Sequence, residues 1–224
     1  MKNQKADVTW RDGMVPVSAR FDDPYFSLQD GLAETRHVFL DGNDLTQRLV
    51  EPLHIAELGF GTGLNFLATL KLRQEIGAAA ALHFTSFEAF PLASSDVAQA
   101  LAQFPALEYL AKPLIKGMDA GHTQLEMPGN VWLSLELGDA RALLPEWSGA
   151  ADAWFLDGFS PAKNPELWSA PLMAEVGRHT APGGTFATYT AAGFVRRGLQ
   201  DAGFAVERIA GYGRKRHMTR GTLR

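Results

Sequence analysis

The stretch Ile55-Ala56-Glu57-Leu58-Gly59-Phe60-Gly61-Thr62-Gly63-Leu64 decides how the rest of the chain is read. Its first four residues make a short strand, and glycines follow at alternate positions. Glycine lets the backbone turn tightly and lets a ligand lie against it with no Cβ in the way. Beyond the glycines, Leu64, Leu67, Ala68, Leu70 and Leu72 recur with a helical period as far as Ile76. A helix start offers free N–H groups to the polar or anionic end of a ligand. In the dinucleotide fingerprint Gly-x-Gly-x-x-Gly the third glycine would fall at Leu64, so Gly63 comes one residue early.

Working outward, the same alternation continues. Leu82 to Glu88 reads as a second strand, with a helix-rich stretch after it through Leu101 and Leu110. Val131 to Leu137 is a third strand, and Ala140 to Leu144 a short helix stopped by Pro145. Asp152 to Asp157 is a fourth strand, followed by a polar loop over Gly158 to Pro165. Leu167 to His179 reads as a helix closed by the stop-and-turn signal Pro182-Gly183-Gly184. Thr185 to Thr190 is a fifth strand, and Phe194 to Ala202 a helix capped by Gly203. Phe204 to Ile209 and Met218 to Leu223 are the last two candidate strands. Gly31 to Leu40 fits a helix or a strand, because Leu32, Thr35 and Phe39 sit at mixed spacing. The expected fold is α/β, a mostly parallel sheet with helices on both faces. Residues 1–50 read as an N-terminal extension packed on a domain over 51–224. Ligands of such sheets bind at the carboxyl ends of the strands, where strand order switches.

Composition narrows the function classes. The 224 residues suit one α/β domain, with 46% hydrophobic and 21% charged residues. With no cysteine, disulfides, thiolate metal sites and a Cys nucleophile are excluded. The six histidines show no ligand spacing, so no metal site is expected. No apolar run is long enough to span a membrane. The start Met1-Lys2-Asn3-Gln4-Lys5 lacks a signal-peptide core, so a cytoplasmic location is expected. The net charge of −4 is unevenly spread. From Gly193 to Arg224 there are eight Arg or Lys against Asp201 and Glu207, whereas the other residues are acidic on balance. A basic tail on an acidic body suits either a phosphate-rich partner or a solvated face.

Acids sit at the ends of the candidate strands. Glu88 can accept hydrogen bonds from two ribose hydroxyls, and Asp139, after Gly138, from an adenine amino group. Asp157 ends the fourth strand. Each acid alone is equally a solvated loop residue or a helix cap. Three of them after successive strands, behind a glycine-rich first loop, form a pattern. Gly-x-Gly-x-Gly preceded by an acid resembles the cofactor loop of Rossmann-like class I methyltransferases. Their S-adenosylmethionine has no pyrophosphate, and its methyl sulfonium would then point towards Asp157. The loop Asp157-Gly158-Phe159-Ser160-Pro161-Ala162-Lys163-Asn164-Pro165-Glu166-Leu167-Trp168 resembles the Asn/Asp-Pro-Pro-aromatic loop of amino methyltransferases. Phe159 and Trp168 can stack on a flat substrate, and Asp157 can orient an amine or take its proton.

Several stretches together are similar to the methyltransferase domain of the MnmC family of bifunctional tRNA-modifying enzymes. They are Phe21 to Ser27, Gly31 to Arg36, Gly59 to Phe66, Phe155 to Pro165, Gly193 to Phe204 and Gly211 to Arg216. The resemblance runs from about residue 8 to the end. It implies N-methylation of 5-aminomethyl-2-thiouridine at the tRNA wobble position, giving 5-methylaminomethyl-2-thiouridine. It further implies Asp157 as the acid near the reacting amine, and cofactor positions at Glu57, Gly59, Gly61, Gly63, Asn65, Glu88 and Asp139. Phe159, Lys163 and Asn164 are expected around the substrate, and Arg196, Arg197, Arg214, Lys215 and Arg216 on the tRNA anticodon region. Arginine suits such a face because it binds phosphate through two nitrogens at once. The family continues into a flavin-dependent oxidase domain, so FAD is expected only if a longer chain carries that domain. Two other readings remain open: a methyltransferase acting on another amine, and a non-catalytic nucleotide-binding domain.

Overall fold

A computed structural model describes residues 5–12, 14–27 and 30–224. Towards the N-terminus β1 (Val8–Arg11), β2 (Val15–Ser18) and β3 (Asp23–Pro24) pair into a small antiparallel sheet. The main sheet takes β4 (Leu53–Leu58), β5 (Leu82–Glu88), β6 (Gln124–Met127) and β7 (Val131–Leu137). It is completed by β8 (Ala151–Leu156), β9 (Thr180–Thr188), β10 (Phe204–Ala210) and β11 (His217–Leu223). The strand order is β10-β11-β9-β8-β4-β5-β7-β6. β7, β5, β4, β8 and β9 are mutually parallel, and β6, β11 and β10 join by antiparallel pairing. The chain order reverses across the β4–β8 pair, so the crevice at the switch point lies above those two strands.

The period-2 alternation of the strands sends side chains to two separate cores. Leu53 and Ile55 of β4 face one apolar cluster with Phe66, Phe84 and Phe155. On that side lie α1 (Gly31–Thr35), a π-helical turn over Arg36–Asp41, α2 (Leu45–Arg48), α3 (Leu64–Glu75), α4 (Ser94–Leu101) and α5 (Glu108–Asp119). Ala56 and Leu58 face the other cluster with Trp154 and Phe186, under α6 (Ala140–Leu143), α7 (Ala170–Arg178) and α8 (Gly193–Asp201). Rings meet edge-on in the first cluster, Phe66 with Phe84 at 5.2 Å and Phe84 with Phe155 at 5.7 Å. Truncating any of these fully buried rings to alanine costs about 3–5 kcal/mol.

The parallel sheet with helices on both faces agrees with the sequence reading, and the boundaries of β5 and β7 coincide with it. Elsewhere the structure corrects it. Residues 31–40, open between helix and strand, are helical. Val38, Phe39, Leu40, Leu45 and Leu49 are buried with β4 and α3, so part of the expected extension is main-core material. The expected helix from Leu167 is broken at Ser169: a 3₁₀ turn covers Pro165–Trp168, and α7 starts at Ala170 with Pro171 in its first turn. Pro182-Gly183-Gly184 does not end the preceding element. β9 runs through it from Thr180, absorbing the extra residues in a register shift against Ala151 and Ala153. A bulge places Pro182 and Gly183 in solvent, where no ladder N–H is missed. β6 and the three-stranded sheet carry no recognisable signal and were not expected. Among the described residues no helix is long and apolar enough to cross a membrane.

Candidate active site

A cavity of about 1210 Å³ opens over the carboxyl ends of the parallel strands. Small-molecule sites usually hold roughly 300–1,000 Å³, so there is room for a cofactor and part of a second ligand. Its floor is the turn after β4. Gly59 and Gly61 have φ of +88° and +53°, and a Cβ on Gly61 would lie 3.2 Å from the Tyr25 ring. Both positions need glycine for the backbone, and Gly61 for space as well. Gly63 starts α3 with its own positive φ but is not part of the cavity wall.

Glu88, at the end of β5, is fixed by backbone. Oε2 accepts from Gly61 N–H at 3.0 Å and Oε1 from Phe90 N–H at 2.7 Å. Burial raises its carboxyl above the ordinary range, against those N–H groups, which lower it. Each oxygen keeps a lone pair for a hydroxyl donor. Asp139 lies on the wall as the cap of α6, accepting from Arg141 N–H at 2.9 Å. The Arg141 guanidinium also grips it through two nitrogens and holds its carboxyl below the usual range. Arg141 therefore already fills most of the acceptor capacity that was expected for an amino group.

Asp157 follows β8 and faces the same cavity. Oδ1 accepts from Gly158 N–H at 2.8 Å and Oδ2 from Asn65 Nδ2 at 2.8 Å. Asn65 is buried with both amide hydrogens used: Nδ2 also donates to Glu57 Oε1 at 2.9 Å, and Oδ1 accepts from Thr35 Oγ1 at 2.9 Å. Glu57 is wholly enclosed behind the wall, taking a second hydrogen bond from Ser86 Oγ at 2.7 Å. Its carboxyl is pushed well up by burial. Asn65 thus ties the acid of β4 to the acid that follows β8 across the switch point. Asp157 itself is raised to about 6, chiefly by burial, with Glu34 adding to the rise and Asn65, Gly158 and Lys215 opposing it.

The roof comes from segments far apart in sequence. Phe159 stacks on Phe21 at 4.7 Å and meets Tyr25 edge-on at 5.1 Å, so one of its faces is already covered. Ser160 N–H donates to Asp23 Oδ2 at 2.8 Å. Lys163 does not face the cavity but reaches back to the Asp22 carbonyl and lies 3.6 Å from Asp23. Asn164, Arg214 and Lys215 line the opening. Trp168, expected to stack on a substrate, is 1% exposed and donates from Nε1 to Phe159 O at 2.9 Å. It supports the loop instead. Tyr189 OH donates to Gly158 O at 2.8 Å, and its phenol is raised well above the ordinary value by burial and by Asp157.

Of the basic residues, Arg196, Arg197 and Arg216 lie off the cavity, with Arg216 on the exposed β10–β11 connection beside Arg214 and Lys215. Arg196 and Arg197 occupy the first half of α8, which leaves β9 at the same end of the sheet. His217 is lowered from its ordinary value first by desolvation and then by the charges of Arg208, Arg216 and Arg196, so these three arginines act on one imidazole. Arg220 belongs elsewhere, paired with Glu207 at 3.1 Å. Tyr25, Glu34, Thr35 and Tyr189 were not singled out from sequence; no local spacing distinguishes them from core or surface residues.

The cradle suits a ligand with ribose-like hydroxyls and a polar end. It has a backbone floor without Cβ atoms, open acceptor sites on Glu88, and a half-buried carboxylate at the far end.

Comparison with known proteins agrees with this geometry. The chain is 48% identical over 229 residues to the tRNA 5-methylaminomethyl-2-thiouridine biosynthesis bifunctional protein MnmC of Pseudomonas aeruginosa (strain UCBPP-PA14), covering 98% of this chain and 35% of that protein. It is 46% identical over 233 residues to the protein of the same description from Chromobacterium violaceum, covering 100% and 35%. The chain therefore spans about a third of the length of these curated relatives. The crystal structure of MNMC2 from Aquifex aeolicus superposes with a TM-score of 0.78 at 26% identity, over 100% of this chain and 72% of that one. A family model described as S-adenosyl-L-methionine-dependent methyltransferase matches residues 102–224. The chain belongs to the S-adenosyl-L-methionine-dependent methyltransferase family.

Proposed function

We propose that this chain methylates the amine of 5-aminomethyl-2-thiouridine at the wobble position of tRNA, giving 5-methylaminomethyl-2-thiouridine. The observation that carries the reading is Asp157: a carboxylate held from both sides, by Asn65 and Gly158 N–H, at the substrate end of the cavity. The description of the two MnmC relatives supports the choice of substrate.

In this reading Gly59 and Gly61 give the cofactor a bare backbone, Glu88 takes the ribose hydroxyls, and Asp139 with Arg141 closes the adenine side. Glu57 and Gly63 support that cradle from behind, and Asn65 from its wall. S-adenosylmethionine supplies, when bound, a methyl group on a positively charged sulfur. The amine must arrive along the line of the bond that breaks and without its proton. Asp157, titrating at about 6, is mostly ionised at neutral pH and can accept that proton. Asp157 would hold the amine at the cavity's far end and take its proton, leaving the nitrogen free to accept the methyl group that the cofactor would supply. Phe159, Asn164 and the Tyr25 and Tyr189 rings shape the pocket for the base, and Lys163 braces its roof.

Arg196, Arg197, Arg214, Lys215 and Arg216 would meet tRNA phosphates, which predicts salt-dependent affinity. A cytoplasmic location and a flavin-dependent domain elsewhere in a longer chain belong to the same proposal. The test is methyl transfer from labelled S-adenosylmethionine to three acceptors: tRNA with the aminomethyl group, the same tRNA without it, and a free alkylamine. Label on the first alone is the expected result. Label on the free amine at an equal rate would favour a small-amine enzyme, and label on none would overturn the reading.

A further inference from the structure

One side chain in the cavity is not absorbed by the cofactor cradle or by Asp157. Glu34 sits on the one-turn helix α1, lines the cavity, and keeps only 13% of its side chain exposed. Its partner is Lys215, whose Nζ lies 2.8 Å from Glu34 Oε1 and 4.2 Å from the centre of the Tyr189 ring. Lys215 reaches in from the exposed β10–β11 connection, between Tyr212-Gly213 and Arg216. A primary alkylammonium thus rests between a carboxylate and an aromatic face, in the same cavity as Asp157.

Such a cage is specific for cations. The ring face attracts an ammonium through its quadrupole, and the carboxylate adds a charge-assisted hydrogen bond. Glu34 is also rigidly linked to the reaction centre, because its neighbour Thr35 donates to Asn65, which holds Asp157. A largely enclosed carboxylate without a cation would be costly. Exchange of one ammonium for another keeps Glu34 compensated throughout.

We propose that Lys215 occupies the subsite that receives the substrate's ammonium group, and that Glu34 and the Tyr189 ring recognise that group before it passes to Asp157. This rests on the amine reading above and adds to it a recognition site and a plug. Binding of the RNA draws Lys215 out towards phosphate while the aminomethyl group takes its place. The cage favours a cationic amine and disfavours a substituent that brings its own carboxylate to face Glu34.

The test compares affinities for two anticodon stem-loops with S-adenosylhomocysteine present, one carrying 5-aminomethyl-2-thiouridine and one 2-thiouridine. The ratio of the two cancels phosphate contacts and isolates amine recognition. The wild-type chain should prefer the aminomethyl RNA by about tenfold, as for a charge-assisted hydrogen bond. Glu34→Gln should bring the preference to within about twofold, and in turnover should raise KM more than it lowers kcat. Lys215→Met should weaken the 2-thiouridine RNA through the lost phosphate contact and the aminomethyl RNA by less, so that the preference widens about threefold, since a competing occupant is gone. Lys215 is on an exposed loop, so this arm stands even if Glu34→Gln does not fold. A preference unchanged in Glu34→Gln, or unchanged or narrowed in Lys215→Met, overturns the cage. If the wild-type chain methylates the aminomethyl RNA but shows these outcomes, only the cage falls. If it neither prefers nor methylates that RNA, the amine reading falls and the cage with it.

Discussion

The two halves of the cavity are built differently. The half after β4 and β5, which the proposed function gives to the cofactor, is made largely by backbone: glycines with positive φ, and a carboxylate gripped by Gly61 and Phe90 N–H groups. The half beyond β8, which the proposed function gives to the substrate, is made by side chains from distant segments: Phe21 on Phe159, Asp23 on Ser160, and Glu34 on Lys215. A backbone cradle is written in one continuous stretch of sequence and tolerates little change. A cradle of distant side chains is written in several places, and each part can be altered with a smaller and more selective effect. Asn65 is the joint between the halves, because its one amide group serves both Glu57 and Asp157.

The sharpest break of that contrast is Asp157→Asn. Single-turnover methyl transfer should fall about a thousandfold, within the range for loss of a general base, while S-adenosylmethionine affinity stays within about threefold. The wild-type rate should rise with pH through about 6 as Asp157 ionises, and the variant should lose that limb. Stability should report the same group with the opposite sign. Its folded value of about 6 lies above the ordinary 3.8, so the folded protein holds a proton that the unfolded chain has shed. The stabilisation Asp157 contributes is present below that lower value and is lost as pH rises through about 6. Wild-type melting temperature, relative to Asp157→Asn, should therefore decline over that window.

Gly61→Val is the mirror experiment on the cofactor half. The side chain would force a β-branched residue into φ of +53° and against Tyr25. S-adenosylmethionine affinity by calorimetry should drop about a hundredfold or more, given the strain and the filled cradle, with RNA affinity largely kept. Equal loss of both would mean the halves are not separable.

Changing Arg196, Arg197, Arg214 and Arg216 together to Glu should weaken tRNA binding at least about tenfold and flatten its salt dependence, because each phosphate contact contributes to the slope. An unchanged affinity would move the RNA to another face. Lys163→Ala is the mildest. Its contacts with Asp22 and Asp23 are partly exposed, so stability should change by less than about 1 kcal/mol. A two- to threefold rise in KM, roughly, would mark loosening of the roof.

The contrast between the halves also explains what could be read from sequence. Glu57 to Leu64, Glu88, Asp139 and Asp157 stand at strand ends, and strand ends can be located from period-2 runs and the glycines that follow them. Their partners could not be found that way. Whether Asp139 is open or held depends on Arg141, two residues on, and nothing in the spacing says which. Trp168 reads as a surface aromatic in a polar loop, and only the folded loop shows its indole N–H spent on Phe159 O. Glu34 and Lys215 are 181 positions apart, and their pairing follows from α1 and the β10–β11 connection meeting over one sheet end. Pro182-Gly183-Gly184 looked like a break because turn residues also serve bulges inside a strand.

The most direct measurement is nucleoside mass analysis of tRNA bearing 5-aminomethyl-2-thiouridine after incubation with this chain and S-adenosylmethionine. The predicted result is conversion of the wobble nucleoside to its methylaminomethyl form, dependent on Asp157. An unchanged wobble nucleoside, in a preparation shown to bind S-adenosylmethionine, would contradict it.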